Sequence, residues 1–282
     1  MERVQELAII RRAYAKQILA AAQIDDPSLE LAFAQVRRED FLGPGPWVIP
    51  DGLVVIVEHP VPILSTSIST TSCRSSPSDT STMVSPSAHA KWIASASIKP
   101  GEHVVHVGTG TGYYTAIMSH LAGPSGEVTG IELDADLAAR AKENLSSFAN
   151  VRIVIGNGAA IPFEAADVVY VNAGVTRPAD LWLDTLTDGG RLILPLTTNE
   201  GFLANDPANV QRRGAVFRIE RRTPEFLAQW VSPVAIIPCE GARDETSEAA
   251  LAEAFKKGGW KRVARLYRNE DVPEERCWLR AP

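Results

Sequence analysis

HVVHVGTGTGYYTAIM, residues His103 to Met118, is the stretch that decides the fold. An apolar-leaning run stops at three glycines, Gly108, Gly110 and Gly112, each separated from the next by a threonine, and a helix-like pattern follows at once. A strand that ends in a glycine-rich turn and opens a helix lets the backbone come close to a ligand, because glycine has no Cβ to obstruct it. At the end of the next apolar run, VTGIELD, stands Glu132. An acid there can accept two hydrogen bonds from a ribose diol. The pattern predicts a site for a nucleoside cofactor.

Outward from this stretch, strands and helices alternate. VVHV reads as a strand, TGYYTAIMSHLA as a helix, GEVTGIEL as a strand and ADLAARAKENLSSF as a helix with Asp134 near its start. VRIVIGNG is a strand and turn, and ADVVYVNAG is a strand. PADLWLDTL is a helix closed by Asp188-Gly189-Gly190, and RLILPL is a strand. This alternation predicts an α/β fold, a doubly wound parallel sheet with helices on both faces and its ligand at the carboxyl ends of the strands. Upstream, residues 1–50 read as a helical segment of two helices broken at Asp25-Asp26-Pro27. Residues 51–86 are irregular and rich in Ser and Thr, 87–200 form the cofactor domain, and 201–282 form a C-terminal α+β extension with one helix, SEAALAEAFKKG.

The spacing of the glycines narrows the cofactor. A dinucleotide fingerprint is G-x-G-x-x-G; here it is G-x-G-x-G, and bulky Tyr113 follows Gly112. No Gly-Lys-Ser/Thr follows, which excludes a phosphate-binding P-loop. GTGTGYYTA, GEVTGIELDADLAARAKENL, VRIVIGNG and GGRLILPL are similar, in order, to the motifs of class I S-adenosylmethionine-dependent methyltransferases. Among these the chain resembles the protein-L-isoaspartate O-methyltransferase family, over roughly residues 86 to 200. The resemblance implies a Rossmann-like sheet and S-adenosyl-L-methionine as cofactor. It implies that Gly108, Gly110 and Gly112 wrap the methionine part, with Thr109 and Tyr113 in the same motif. Glu132 would take the ribose hydroxyls beside Leu133, Asn157 and Gly158 would lie at the adenine, and Asn172 would lie near the transferred methyl. The implied reaction is O-methylation of a carboxylate. The alternatives are methylation of a small molecule or another protein group, and a cofactor-binding module with little turnover. A carboxylate acceptor is ionised at neutral pH and the donor is already activated, so no metal and no Ser-His-Asp set is required.

Some residues depart from the family pattern. His106 stands where the family carries an acid, and reads as a core histidine rather than a catalytic one; His89 reads as structural or as a neighbour of the active site. The family's TISQP-like substrate segment corresponds to Thr82-Met83-Val84-Ser85-Pro86, which puts Val84 in place of the active-site serine. Just upstream, LSTSISTTSCRSSPSDTSTMVSPS (64–87) has no helical or strand period. One reading is a low-complexity loop. The other is a reading-frame slip beginning in 51–62 and ending near 84. Codons for Ser67–Ser72, read from the third nucleotide, can give Tyr-Gln-His-Asp-Val, and those for Thr80–Val84 can give Ile-Asn-Asn-Gly, as in the INNGxPS loop of some relatives.

Composition bounds the remaining classes. The 282 residues carry a net charge of −6, giving no general attraction to nucleic acid or an anionic membrane. No apolar run reaches the roughly 18 residues that span a bilayer, and the mixed-charge N-terminus does not read as a signal peptide. Three scattered cysteines suggest neither a disulfide frame nor zinc, and fit a cytoplasmic protein. The expected partner is a protein or small-molecule methyl acceptor. Oligomeric state is left open.

Overall fold

The computed structural model describes residues 2–42, 47–48, 54–55, 84–199, 214–268, 270 and 272–280. Two helices lead, α1 (Glu2–Ala22) and α2 (Pro27–Gln35). The break between them is a helix start. Asp26 accepts the backbone N–H groups of Ser28 and Leu29, each at 3.0 Å, and Pro27 occupies the first turn, where its missing N–H costs nothing. A short antiparallel pair, β1 (Trp47–Val48) and β2 (Val54–Val55), stands apart from the main sheet. The reading-frame question lies outside the described residues, apart from Val54–Val55 and the segment beginning at Val84.

The body of the protein is α3 (Pro86–Ala96), β3 (His103–Val107), α4 (Tyr113–Ala122), β4 (Glu127–Glu132), α5 (Ala135–Asn144), β5 (Val151–Ile155), β6 (Ala166–Val171), α6 (Asp180–Thr185) and β7 (Leu186–Thr197). After it come β8 (Gly214–Arg222), β9 (Glu225–Pro233), α7 (Glu245–Lys257) and β10 (Arg265–Leu266). The sheet order is β10-β9-β8-β7-β6-β3-β4-β5, parallel from β7 to β5 and antiparallel from β7 to β10. The chain therefore moves outward from β3 through β4 to β5, then returns to the other side of β3 as β6. That reversal leaves a crevice beyond the carboxyl ends of β3 and β6, where open α/β sheets bind ligands.

Successive residues of the central strands feed opposite cores, as the pleat requires. Val104, Val168 and Tyr170 join Trp92, Ile93 and Ile117 under α1–α4. Val105, Val107, Val169 and Val171 join Trp182, Leu251 and Phe255 on the other face. The expected doubly wound α/β architecture with leading helices is what the chain adopts.

β8, β9 and β10 continue the sheet of the preceding segment, β8 pairing with β7. One expected helix end differs in the structure. The helix expected to close at Asp188-Gly189-Gly190 ends at Thr185, because Leu186 is buried and already pairs with Ala166. The Asp-Gly-Gly turn then becomes an irregularity inside β7, with Asp188 accepting the N–H of Thr223 at 2.8 Å. At the opposite end of the sheet from the crevice, buried Arg191 donates to both oxygens of Glu102 at 2.8 and 2.7 Å. It also donates to the carbonyls of Ala96 and Ser97, which satisfies the end of α3.

Candidate cofactor site

The glycine run is the connection from β3 to α4. Gly108, Gly110 and Gly112 have φ of +80, +58 and +98, a region that side chains with a Cβ adopt only under strain. Two of these positions need glycine for different reasons. A Cβ on Gly112 would lie 2.6 Å from Leu145 Cδ1, so this glycine lets the loop enter α4 against a packed wall. A Cβ on Gly110 would meet nothing within 4 Å, so this face of the loop is open to a ligand.

Glu132, at the end of β4 and only 9% exposed, holds the loop in place. One carboxylate oxygen accepts the Gly110 N–H at 2.7 Å and the other accepts the Asp134 N–H at 3.1 Å. Each oxygen keeps further lone-pair capacity, so the group can brace the loop and still receive hydroxyl donors. Leu133 beside it is 45% exposed, and Ile155, paired with Glu132 across β4 and β5, is 46% exposed. Together they offer apolar surface next to a carboxylate, the pairing that a base joined to a ribose needs.

The other expected positions divide. Thr109 is buried, its hydroxyl reaching the carbonyls of His106 and Ile131 at 3.3 and 3.4 Å, so it staples the loop to β3 and β4. Asn157 makes a turn of its own, accepting the Ala159 N–H at 2.9 Å. Gly158 packs on Val107, and its carbonyl takes the indole N–H of Trp182 at 2.8 Å. Asn172 sits at the strand-order reversal: its backbone N–H donates to Val107 and its side-chain amide to the Gly108 carbonyl at 3.1 Å. Gly108, Gly110, Glu132 and Asn172 are thus drawn together at the crevice. The Tyr113 side chain points elsewhere. It is buried against Phe33 and Phe41, so only its backbone faces the loop. The reason is that α4 presents its first turn to the leading helices.

The two histidines belong to the core. His89 bonds Tyr170 Oη through Nδ1 at 2.8 Å and stacks on Tyr114 at 3.9 Å. His106 bonds Thr115 Oγ1 at 2.8 Å, and its Nε2 has no partner. Burial holds both pKa values down to about 3, and a proton on His106 would push His89 lower still, so both stay neutral. Val84, at the serine position of the resembled family, packs its side chain against the core, while Ser85 caps α3.

One contribution to the site was not read from the sequence. After β9 the chain returns to the crevice: the Gly174 N–H donates to Ile237, the Cys239 N–H donates back to Gly174, and the Gly241 carbonyl faces the Asn157 amide at 3.5 Å. Arg243 secures this return, donating to the Gly174 carbonyl at 2.8 Å and to Thr197 Oγ1 at 2.9 Å. Burial pushes the Cys239 thiol up to about 11; Arg243 pulls it down, while Glu132 and Glu240 add to the rise. The IIPCEGAR run carries the signal for this segment, but strand-like apolarity marks it only as core. Among the described residues no cluster of His, Cys, Asp and Glu could hold a metal ion, and no helix is long and apolar enough to cross a membrane.

Comparison with known proteins bears on the family and the fold. The family model for protein-L-isoaspartate(D-aspartate) O-methyltransferase (PCMT) matches residues 61–221. A protein-L-isoaspartate O-methyltransferase of Ignicoccus hospitalis is 29% identical over 161 residues, 56% of this chain and 71% of that protein. Its counterpart in Rhodopseudomonas palustris is 32% identical over 145 residues, 50% of this chain and 60% of that protein. A solved protein-L-isoaspartate O-methyltransferase superposes with a TM-score of 0.64 at 25% identity, covering 82% of this chain and 66% of that one.

Proposed function

Since the chain belongs to the protein-L-isoaspartate(D-aspartate) O-methyltransferase family, whose model it matches over more than half its length, we propose that it transfers a methyl group from S-adenosyl-L-methionine to a carboxylate, that of an isoaspartyl residue in a protein. The observation that carries the cofactor reading is the Gly110 N–H bound to Glu132 beside an open loop face. That arrangement fits an adenosine with a short charged tail. Gly108, Gly110 and Gly112 would line the tail with backbone, Glu132 would receive the ribose hydroxyls, and Leu133 and Ile155 would flank the base. Thr109, Asn157, Gly158 and Asn172 would hold the walls of the crevice in register.

When bound, the cofactor supplies a methyl group already activated on a sulfonium. The work left to the chain is alignment, because bringing donor and acceptor into line lowers the barrier without acid–base help. A carboxylate acceptor is ionised at neutral pH and needs no base. Cys239 stays a thiol at that pH, so it does not compete as a nucleophile near the site. By the same proposal the acceptor is a protein rather than nucleic acid or membrane, for which the net charge of −6 speaks, and the scattered cysteines support a cytoplasmic setting.

A second reading, a cofactor-binding module with little turnover, is favoured by one observation: Val84 offers an apolar side chain packed on the core where the family uses serine. A reading-frame slip across residues 51–84 would have the same outcome. Calorimetry with S-adenosylmethionine and S-adenosylhomocysteine tests the cofactor, and binding of NAD instead would overturn it. A radiolabelled methyl assay on an isoaspartyl peptide separates the rest. A base-labile product supports the carboxylate ester, a base-stable product points to N-methylation, and binding without product supports the module.

A further inference from the structure

The 3-10 turn Arg38–Phe41 lies where the leading helices meet the exit of the glycine loop. Arg38 is 2% exposed, and its guanidinium carbon is 5.4 Å from the Tyr14 ring centroid and 5.9 Å from that of Tyr113. It donates to Tyr14 Oη at 2.5 Å. Tyr113 is the first residue of α4 and directly follows Gly112. Phe41, at the other end of the same turn, meets Tyr113 edge-on at 5.7 Å and would be 3.6 Å from a Cβ on Gly112. Phe33 of α2 meets Tyr113 from a further side at 6.4 Å. The turn is itself fixed to α1, where Arg11 donates to Glu39 at 2.6 Å. On the neighbouring side, the Asn144 amide donates to the Thr111 carbonyl at 2.9 Å.

These contacts form a continuous path from α1 through Arg38 and Tyr113 to Gly112, two residues from the N–H that Glu132 holds. A planar cation between aromatic rings in a dry interior is held strongly and directionally. Loosening it frees the Tyr113 ring, and with it the backbone that Gly112 must keep at positive φ. We infer that Arg38 is a positioning residue of the cofactor site. The leading helices set cofactor affinity through it without touching the cofactor. This rests on the S-adenosylmethionine reading above.

The test uses the full chain and S-adenosylhomocysteine as the probe. R38M keeps the side-chain volume and removes the charge and the plane, while R38K keeps the charge alone. L29A, a buried position of α2 in the same core as Tyr113 but outside the Arg38–Tyr113–Gly112 contacts named above, serves as a destabilised control. The expected result is a Kd raised about tenfold in R38M (about 1.4 kcal/mol) and by less in R38K. L29A should keep the wild-type Kd although its melting temperature also falls. A wild-type Kd in R38M, or an equal loss in L29A, overturns the inference and leaves the cofactor reading standing. Failure of the wild-type protein to bind the probe overturns both.

Discussion

Glu132→Gln isolates the residue on which the cofactor reading turns. The native carboxylate receives two backbone N–H groups, from Gly110 at 2.7 Å and from Asp134 at 3.1 Å. Glutamine is nearly the same size but presents one oxygen and one NH2, so one N–H must face another donor. The loop then loses a hydrogen bond to a charged acceptor, worth about 1.5–3 kcal/mol. A ribose diol meets the same deficit, because one hydroxyl no longer finds an anionic oxygen. Taking about 2 kcal/mol for that contact gives a Kd for S-adenosylhomocysteine on the order of thirtyfold weaker. Glu132→Asp keeps the charge but retracts it by one methylene, and should weaken binding for want of reach. Isothermal calorimetry on the three proteins reads the affinity, and hydrogen exchange at Gly110 reads the loop. A Glu132→Gln Kd within about threefold of wild type, with Gly110 exchange unchanged, would refute both the bracing and the ribose-binding role of the carboxylate.

The remaining predictions concern stability and the gene. His89 and His106 stay neutral in the native state down to about pH 3, so below pH 6.5 the unfolded chain binds the extra protons. Stability should fall as pH drops from 6.5 toward 3, by about 1.4 kcal/mol per unit for each histidine, or about 4 kcal/mol for both at pH 5. Urea melts at pH 7 and 5 should show this difference roughly halved in His106→Gln, and an undiminished difference would contradict it. Gly112→Val combines a forbidden φ with a 2.6 Å approach to Leu145, so it should cost about 1–3 kcal/mol and abolish probe binding; retained binding would mean the loop can relax. Arg191→Met leaves the Glu102 carboxylate without its bidentate partner. It should cost about 3 kcal/mol in thermal unfolding while leaving cofactor affinity unchanged, since this pair sits at the far end of the sheet. Sequencing codons 50 to 90 should show a compensated pair of insertions or deletions, and an uninterrupted frame matched by intact-protein mass would exclude the slip.

What was legible in the sequence follows from the range of each signal. Gly108 to Gly112 and Glu132 could be read because a strand, a turn and a helix are local patterns, and the acid falls at a fixed distance along the next strand. Alternation of strands and helices then implied the parallel half of the sheet. The antiparallel half was not implied: the pairing of β7 with β8 and of β8 with β9 is set by cross-strand packing that leaves only apolar runs in the sequence. Tyr113 belongs to the cofactor motif by position, yet its ring is claimed by Phe33 and Phe41, residues far away in sequence whose proximity no local pattern encodes. For the same reason no local pattern marks Arg38. A charged residue in a short turn ordinarily faces water, and here a later tyrosine encloses it.

The position of β8 between β7 and β9 has a consequence for how such proteins can be recombined. A protein cut after β7 would present a long, apolar, unpaired strand, the kind of edge that recruits other chains into aggregates. It would also lose the anchor that Arg243 gives to the loop after β6. Truncated forms should therefore end beyond residue 243, and chimeras with a junction between β7 and β9 need a partner whose β8 matches the cross-strand pairs of this β7.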